Sequence, residues 1–339
     1  MKRQQQGMAL LVVLLILAIM AALATEMTLR FQVNLKRTGY TASRLAQNEL
    51  VGIAEQQAVR ILQQDLKDNA KYTSPEQYWA QPQDIALSDD RSVHWHLEDA
   101  QNCFNLNVLS AVPVDSMDDE PYSVKTFRAL LHNSGADGAR ADTIIDSIAD
   151  FIDSDDIPRR AGAESEYYHT QEIPHDNANT LFVSVSELKS IQGMTPALYH
   201  RLAPNLCALP NTELQINVST LTVRHASLLA AIFNNVISAK EVETLFANRT
   251  SQTWQNPVQL AGYLEKTFPG HDQDFAAAKS ILTTFSHFFR LETNIQQDDG
   301  RQYFTSQLEY DEKEKKVLIV TRSVGVYEHM KGSRYKWNR

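Results

Sequence analysis

Little in this chain invites covalent or metal chemistry of the usual enzymatic kinds. Its 339 residues include two cysteines, Cys103 and Cys207, too few for a disulfide framework and without metal-type spacing. They can form one bridge if the globular part lies outside the cytoplasm; otherwise they are two buried thiols. Positive charge is not in excess either, since the formal net charge is −9. Sequence-independent phosphate binding depends on Lys and Arg releasing counterions, so nucleic acid is not an expected partner. The patterns G-x-S-x-G, H-E-x-x-H and the P-loop are all missing. The histidines are scattered, and His94 and His96, on one face of an expected strand, read as an ordinary exposed pair in preference to a metal site. No active site is legible.

Proline is also missing until Pro75, and only Gly7, Gly39 and Gly52 could weaken a helix before it. Polar residues 1–7, with Lys2 and Arg3, lead into an unbroken apolar run from Met8 to Ala24. That run is near the lower length for crossing a bilayer. A secretory signal core has a similar start, and Ala22-Leu23-Ala24 comes close to a cleavage pattern. Beyond Thr25, however, the helical pattern continues. Phe31, Leu35, Ala42, Leu45, Ala46, Leu50, Ile53, Ala58, Ile61, Leu62 and Leu66 recur at steps of three and four. A helix from Met8 to Leu66 would measure roughly 90 Å at about 1.5 Å per residue. The hydrocarbon needs only about 30 Å of it. The remainder must bury its apolar stripe, of which Phe31, Leu35, Leu45, Leu50 and Ile53 are the expected contacts for partner helices. Lys2 and Arg3 on one side, against Arg30, Lys36 and Arg37 on the other, leave the charge rule for orientation undecided.

A basic leader ending in Gly7, then Met8-Ala9-Leu10-Leu11-Val12, then an apolar helix that turns amphipathic resembles the N-terminus of type IV prepilins and pseudopilins. The resemblance implies cleavage between Gly7 and Met8 by the prepilin peptidase, and methylation of Met8. Glycine suits such a site by letting the protease approach the backbone closely. The usual fifth mature residue is glutamate, where this chain has Val12. That departure, and the stretch Cys103-Phe104-Asn105-Leu106-Asn107-Val108-Leu109, resemble the general secretion pathway protein K family. Membership would imply a single-pass inner-membrane anchor with the globular part in the periplasm. It would also imply a non-enzymatic role in a pseudopilus tip complex with minor pseudopilins I and J. Dealings with the major pseudopilin and the inner-membrane assembly platform are implied as well.

The expected fold class is α+β. A long N-terminal helix would pack on an antiparallel sheet, the pilin arrangement, interrupted by a large all-α insertion. The expected division is leader 1–7, transmembrane helix 8–25, pilin-like helix and first strands 26–115, insertion 116–285, closing strands 286–330 and basic tail 331–339. Residues 92–99 alternate as a strand, and 288–296, 301–310 and 316–327 form three more. Asp298-Asp299-Gly300 would turn between the first two of those three. In the middle, residues 126–131 and 139–152 read as helices; Ser186 caps another that Gly193 ends, and Thr195-Pro196 starts the next. Ser238 to Glu241 has the form of a capping box.

Carboxylates crowd the helix from 139 and the loop after it. Asp142, Asp146 and Asp150 form a like-charged i, i+4 stripe, and Asp153, Asp155 and Asp156 follow at an end that disfavours negative charge. Glu164, Glu166, Asp176 and Asn179 lie beyond. Hard oxygens without His or Cys point to calcium, which protein K relatives are described as binding. The pattern is not an EF-hand, and Arg159 and Arg160 could instead supply the countercharge. Residues 186–202 resemble a helix-hairpin-helix, which reads first as a small helical bundle used for packing. The alternative function is a DNA-binding or DNA-uptake protein holding a phosphate on the glycine turn, helped here only by Lys189, His200 and Arg201.

Overall fold

A computed structural model describes residues 2–88, 91–112, 120–247, 256–297 and 300–325. The expected insertion start near Met117, the Asp298-Asp299 turn, the last strand's end at Tyr327 and the tail 331–339 lie outside them. The chain divides into two units, residues 1–54 and 55–339.

The described part of the first unit is continuous helix, most of α1 (Lys2–Asp68). Its composition explains this: Leu, Ala, Met and Gln are strong helix formers, and no proline interrupts. The hydroxyls of Thr25, Thr28, Thr38 and Thr41 each donate to the carbonyl four residues back, at 2.8–3.0 Å. Their polar atoms are thus satisfied along an apolar rod. The helix is long and apolar enough to cross a membrane.

The second unit starts with the last turns of α1, where Ala58, Leu62 and Leu66 are buried. After it come β1 (Gln83–Ser88), β2 (Arg91–Asp99), β3 (Phe104–Asn105), α2 (Tyr122–Asn133), α3 (Gly138–Ile152), α4 (Ser165–His169), α5 (Pro196–Leu202), β4 (Leu206–Cys207) and β5 (Ile216–Asn217). The chain continues with α6 (Ala226–Ile232), α7 (Ala239–Ala247), α8 (Pro257–Thr267), α9 (Asp272–Ala278), β6 (Leu282–Thr283), β7 (Phe288–Gln297), β8 (Gly300–Asp311) and β9 (Lys316–Val324). Five strands form one antiparallel sheet in the order β1-β2-β7-β8-β9. Since β2 and β7 are neighbours, everything from residue 100 to 287 leaves the sheet and returns to it. The insertion therefore starts earlier than residue 116. Among its described residues the regular structure is helical apart from two short parallel ladders, β3 with β4 and β5 with β6.

Register gives the sheet two unlike faces, because directly opposed residues point the same way. Val93, Trp95 and Leu97 share one face with Ile295, Thr293, Leu291, Phe304 and Ser306. Here α1 is held: Glu55, 2% exposed, accepts from the Ser306 hydroxyl at 2.6 Å and from Arg322 Nε at 2.8 Å. The opposite face is polar, carrying His94, His96 and Glu98 beside Asn294, Glu292 and Arg290.

A large apolar core runs through the described part of the insertion from Phe104 to Leu282. The Asn-Leu-Asn stretch is its hinge pin. Leu106 is fully buried, while the Asn105 amide grips Asn211 O at 2.9 Å and Leu209 N at 3.0 Å. Asn107 exchanges bonds with both Phe182 O, 3.0 Å, and Phe182 N, 2.8 Å. Two buried side-chain amides thus replace ladder bonds that irregular backbone cannot make. Caps are mostly where the sequence puts them. Thr195 accepts from Leu198 N, and Ser238 with Glu241 closes its box. The cap expected at Ser186 belongs instead to Ser184, whose box is completed by Glu187.

Candidate functional site

The acidic stripe of α3 is largely neutralised from within. Asp142 pairs with Arg128. Asp146 accepts from the Ala161 amide at 3.0 Å. Asp150, fully buried, accepts from the Arg159 amide at 3.1 Å and its guanidinium at 2.7 Å. The expected unfavourable charge pairs are therefore offset by arginine and backbone. The loop can approach this closely because residue 162 is glycine: a Cβ there would lie 1.9 Å from Asp150 Oδ2. Arg159 also reaches Asp153 Oδ2 at 2.5 Å and Val112 O at 3.1 Å.

A second group of oxygens is left over. Asp153 Oδ1, Glu164 Oε1 and Asn177 Oδ1 are buried and accept no hydrogen bond. Carboxylate oxygens of Asp153, Asp155 and Glu164 lie within 4.8 Å of one another. Burial, reinforced by Asp150, Asp153 and Asp156, pushes the Glu164 carboxyl up to about 7, against a hydrogen bond from Asn177. Stranded acceptors without donors cost free energy, and a hard cation would remove that cost. The residues present fit calcium.

The expected ligands separate accordingly. Asp153, Asp155 and Glu164 converge. Asp150 is turned to Arg159 and is no free ligand. Asp156 is exposed, close enough to act on Glu164 by charge. Glu166 is exposed in the first turn of α4. Asp176 pairs with His169 at 2.6 Å, and Asn179 is exposed at φ +47°. Asn177 was missed: its amide donates to Glu164 Oε2 at 2.5 Å and to Asp150 O at 3.3 Å. Its only signal was a place between Asp176 and Asn179.

The segment that resembles a helix-hairpin-helix is packed against the protein, as the packing reading expects. Gly193 has φ +81°, and a Cβ on it would meet Ile144 Cγ1 at 3.1 Å and Thr143 Cγ2 at 3.3 Å on α3. Lys189 sits over the Tyr199 ring at 4.8 Å. Nothing in this arrangement presents the turn to a phosphate.

Cys103 and Cys207 are bonded, with Cα atoms 5.7 Å apart, beside the β3–β4 ladder. His94 meets Asp84 at 2.5 Å rather than standing free, and His96 is buried. On α1, Phe31, Leu35, Leu45 and Ile53 are exposed and Leu50 half-buried. Met8 and Val12 are exposed too, at the start of the apolar run.

Residues 102–211 match the family model described as type II secretion system protein K. A relative in Escherichia coli (strain K12), whose name carries the same protein K designation, is 38% identical over 96% of this chain and 100% of its own length. Type II secretion system protein K of Klebsiella pneumoniae is 34% identical, covering 96% of this chain and 98% of that one. The chain belongs to the type II secretion system protein K family. The fold agrees. A chain from the crystal structure of the GspK-GspI-GspJ complex of the enterotoxigenic Escherichia coli type 2 secretion system superposes with TM-score 0.75. It is 28% identical, over 86% of this chain and 99% of that one. Protein K is a structural component of the secretion machinery, a minor pseudopilin. Its long apolar α1 fits a single-pass anchor carrying a globular domain.

Proposed function

We propose that this chain is cut after Gly7, held by α1 in the inner membrane, and assembled in the periplasm with minor pseudopilins I and J at the tip of a pseudopilus. The observation that carries this reading is the apolar surface of α1. From Met8 through Ile53, large apolar side chains stay exposed, among them Phe31, Leu35 and Leu45. Such a surface is stable only in lipid or against other helices. The insertion of residues 100–287 supports an end position. A fibre of stacked helices gives each subunit little lateral room, and only the end subunit lacks a neighbour above it. The role is non-enzymatic, with the major pseudopilin and the assembly platform as further partners.

Calcium belongs to this reading as a structural ion. Asp153, Asp155, Glu164 and Asn177 would hold it, and it would secure the loop after α3. Mass spectrometry of the chain made with and without prepilin peptidase should place the mature N-terminus at Met8 only when the peptidase is present. Co-purification should recover I and J with the wild type and lose them with Phe31→Ser/Leu35→Ser/Leu45→Ser. A start beyond Met8, or intact co-purification of the triple variant, would remove the reading. Chelation should lower the thermal midpoint of the wild type but not of Asp153→Asn/Glu164→Gln.

A further inference from the structure

The polar face of the sheet carries a second cluster, remote in sequence from the acidic loop. His96 and Glu98 are two apart on β2, so they share a face, and Glu292 of β7 is directly opposite His96. His96 Nε2 lies 3.4 Å from Glu98 Oε1 and 3.4 Å from Glu292 Oε2. All three ligand atoms fall within 4.8 Å of one another. The His96–Glu98 contact is a long hydrogen bond at 3.4 Å, against about 2.8 Å for a charge-assisted one. The edge of a tetrahedron built on metal bonds of about 2.1 Å is instead roughly 3.4 Å.

Arg290 completes the arrangement without filling it. Its Nη2 takes Glu98 Oε2 at 2.5 Å, and its Nε lies 3.4 Å from Glu292 Oε1. Each glutamate thus has one oxygen engaged by Arg290 and turns the other toward His96. Holding the second oxygen of a ligating carboxylate is what orients such ligands elsewhere. His96, Glu98 and Arg290 also line a cavity of about 730 Å³, which gives access to an ion and leaves room for water as a fourth ligand.

We propose that His96, Glu98 and Glu292 form a site for a divalent transition ion of the zinc class. Imidazole nitrogen beside two carboxylates favours such an ion over calcium. The site would cross-link β2 to β7, the two strands through which residues 100–287 leave and rejoin the sheet. Its role is that of a staple at this neck.

The test uses the tag-free full chain in detergent micelles with saturating calcium. Zn2+ titration should reach one equivalent and raise the thermal midpoint. Co2+ in its place should give the intense visible bands of a low-coordinate ion. Those bands should vanish in His96→Gln and in Glu292→Gln, and persist in Asp153→Asn. A wild-type cobalt spectrum of six-coordinate, water-like intensity overturns the proposal whether or not the variants fold. Equal bands in wild type and a folded His96→Gln overturn it as well, since they place the ion elsewhere.

Discussion

Arg322 on β9 and Glu55 on α1 form a two-point ion pair, the guanidinium donating from Nε and Nη2 to both carboxylate oxygens. Glu55 is almost wholly buried, and the Ser306 hydroxyl supplies a third donor. The carboxylate in turn raises the pKa of Arg322. Breaking one side of a buried pair costs about 3–5 kcal/mol, because the survivor stays charged and unpaired. Arg322→Ala should therefore lose most of that range, less some relief from solvent near the arginine. Arg322→Met/Glu55→Leu should recover part of it. Denaturant titration of the full chain checks both.

Gly162 makes a second prediction. Alanine there would drive its methyl into Asp150 Oδ2, and Asp150 is pinned by Arg159 and cannot withdraw. Overpacking of this kind costs about 1–3 kcal/mol. Gly162→Ala should lower the denaturation midpoint and loosen proteolytic protection of residues 153–164. Gly138→Ala, with open space around its Cβ position, serves as the control.

Asp99 ties stability to pH. Burial lifts its carboxyl to about 6, although Thr220 and the Gln101 amide hydrogen-bond to it. The folded state thus holds this proton more tightly than the unfolded chain. Its contribution is present below about pH 4 and lost as pH rises to about 6, up to about 3 kcal/mol at roughly 1.4 per unit. Asp99→Asn cannot lose a proton. Stability of that variant minus wild type should climb across this window, measured by denaturation between pH 3.5 and 7; a flat difference would contradict the assignment.

The Cys103–Cys207 bond spans a sequence separation of 104. Closing so long a loop restricts the unfolded chain, and losing such a bond typically costs about 2–5 kcal/mol. Cys103→Ser/Cys207→Ser should show that loss. A reducing agent should have the same effect on the wild type and none on the double variant.

How much of this was readable in advance follows from distance along the chain. α1 and β7 to β9 were legible because their periodicity is local and their apolar residues belong to the element they mark. β1 was not: Gln83-Asp84-Ile85-Ala86 has no clean alternation, and it is a strand because β2 offers it an edge. Of the oxygen cluster, Asp153 and Glu164 could be named by type, yet Asp150 could not be set aside without knowing that Arg159 folds back onto it. Asn177 reaches Glu164 only through the path of the loop. His96 looked exposed because its opposite number, Glu292, sits on a strand that only the sheet order brings alongside.

That same adjacency of β2 and β7 bears on how the molecule comes into being. Until Phe288 has emerged, β2 has only β1 beside it, and closing so distant a contact as β2 with β7 is slow. During synthesis the first hairpin must wait with one edge open, while nearly two hundred residues are made and the helical part condenses. That open strand edge is the natural target of a holdase in that interval.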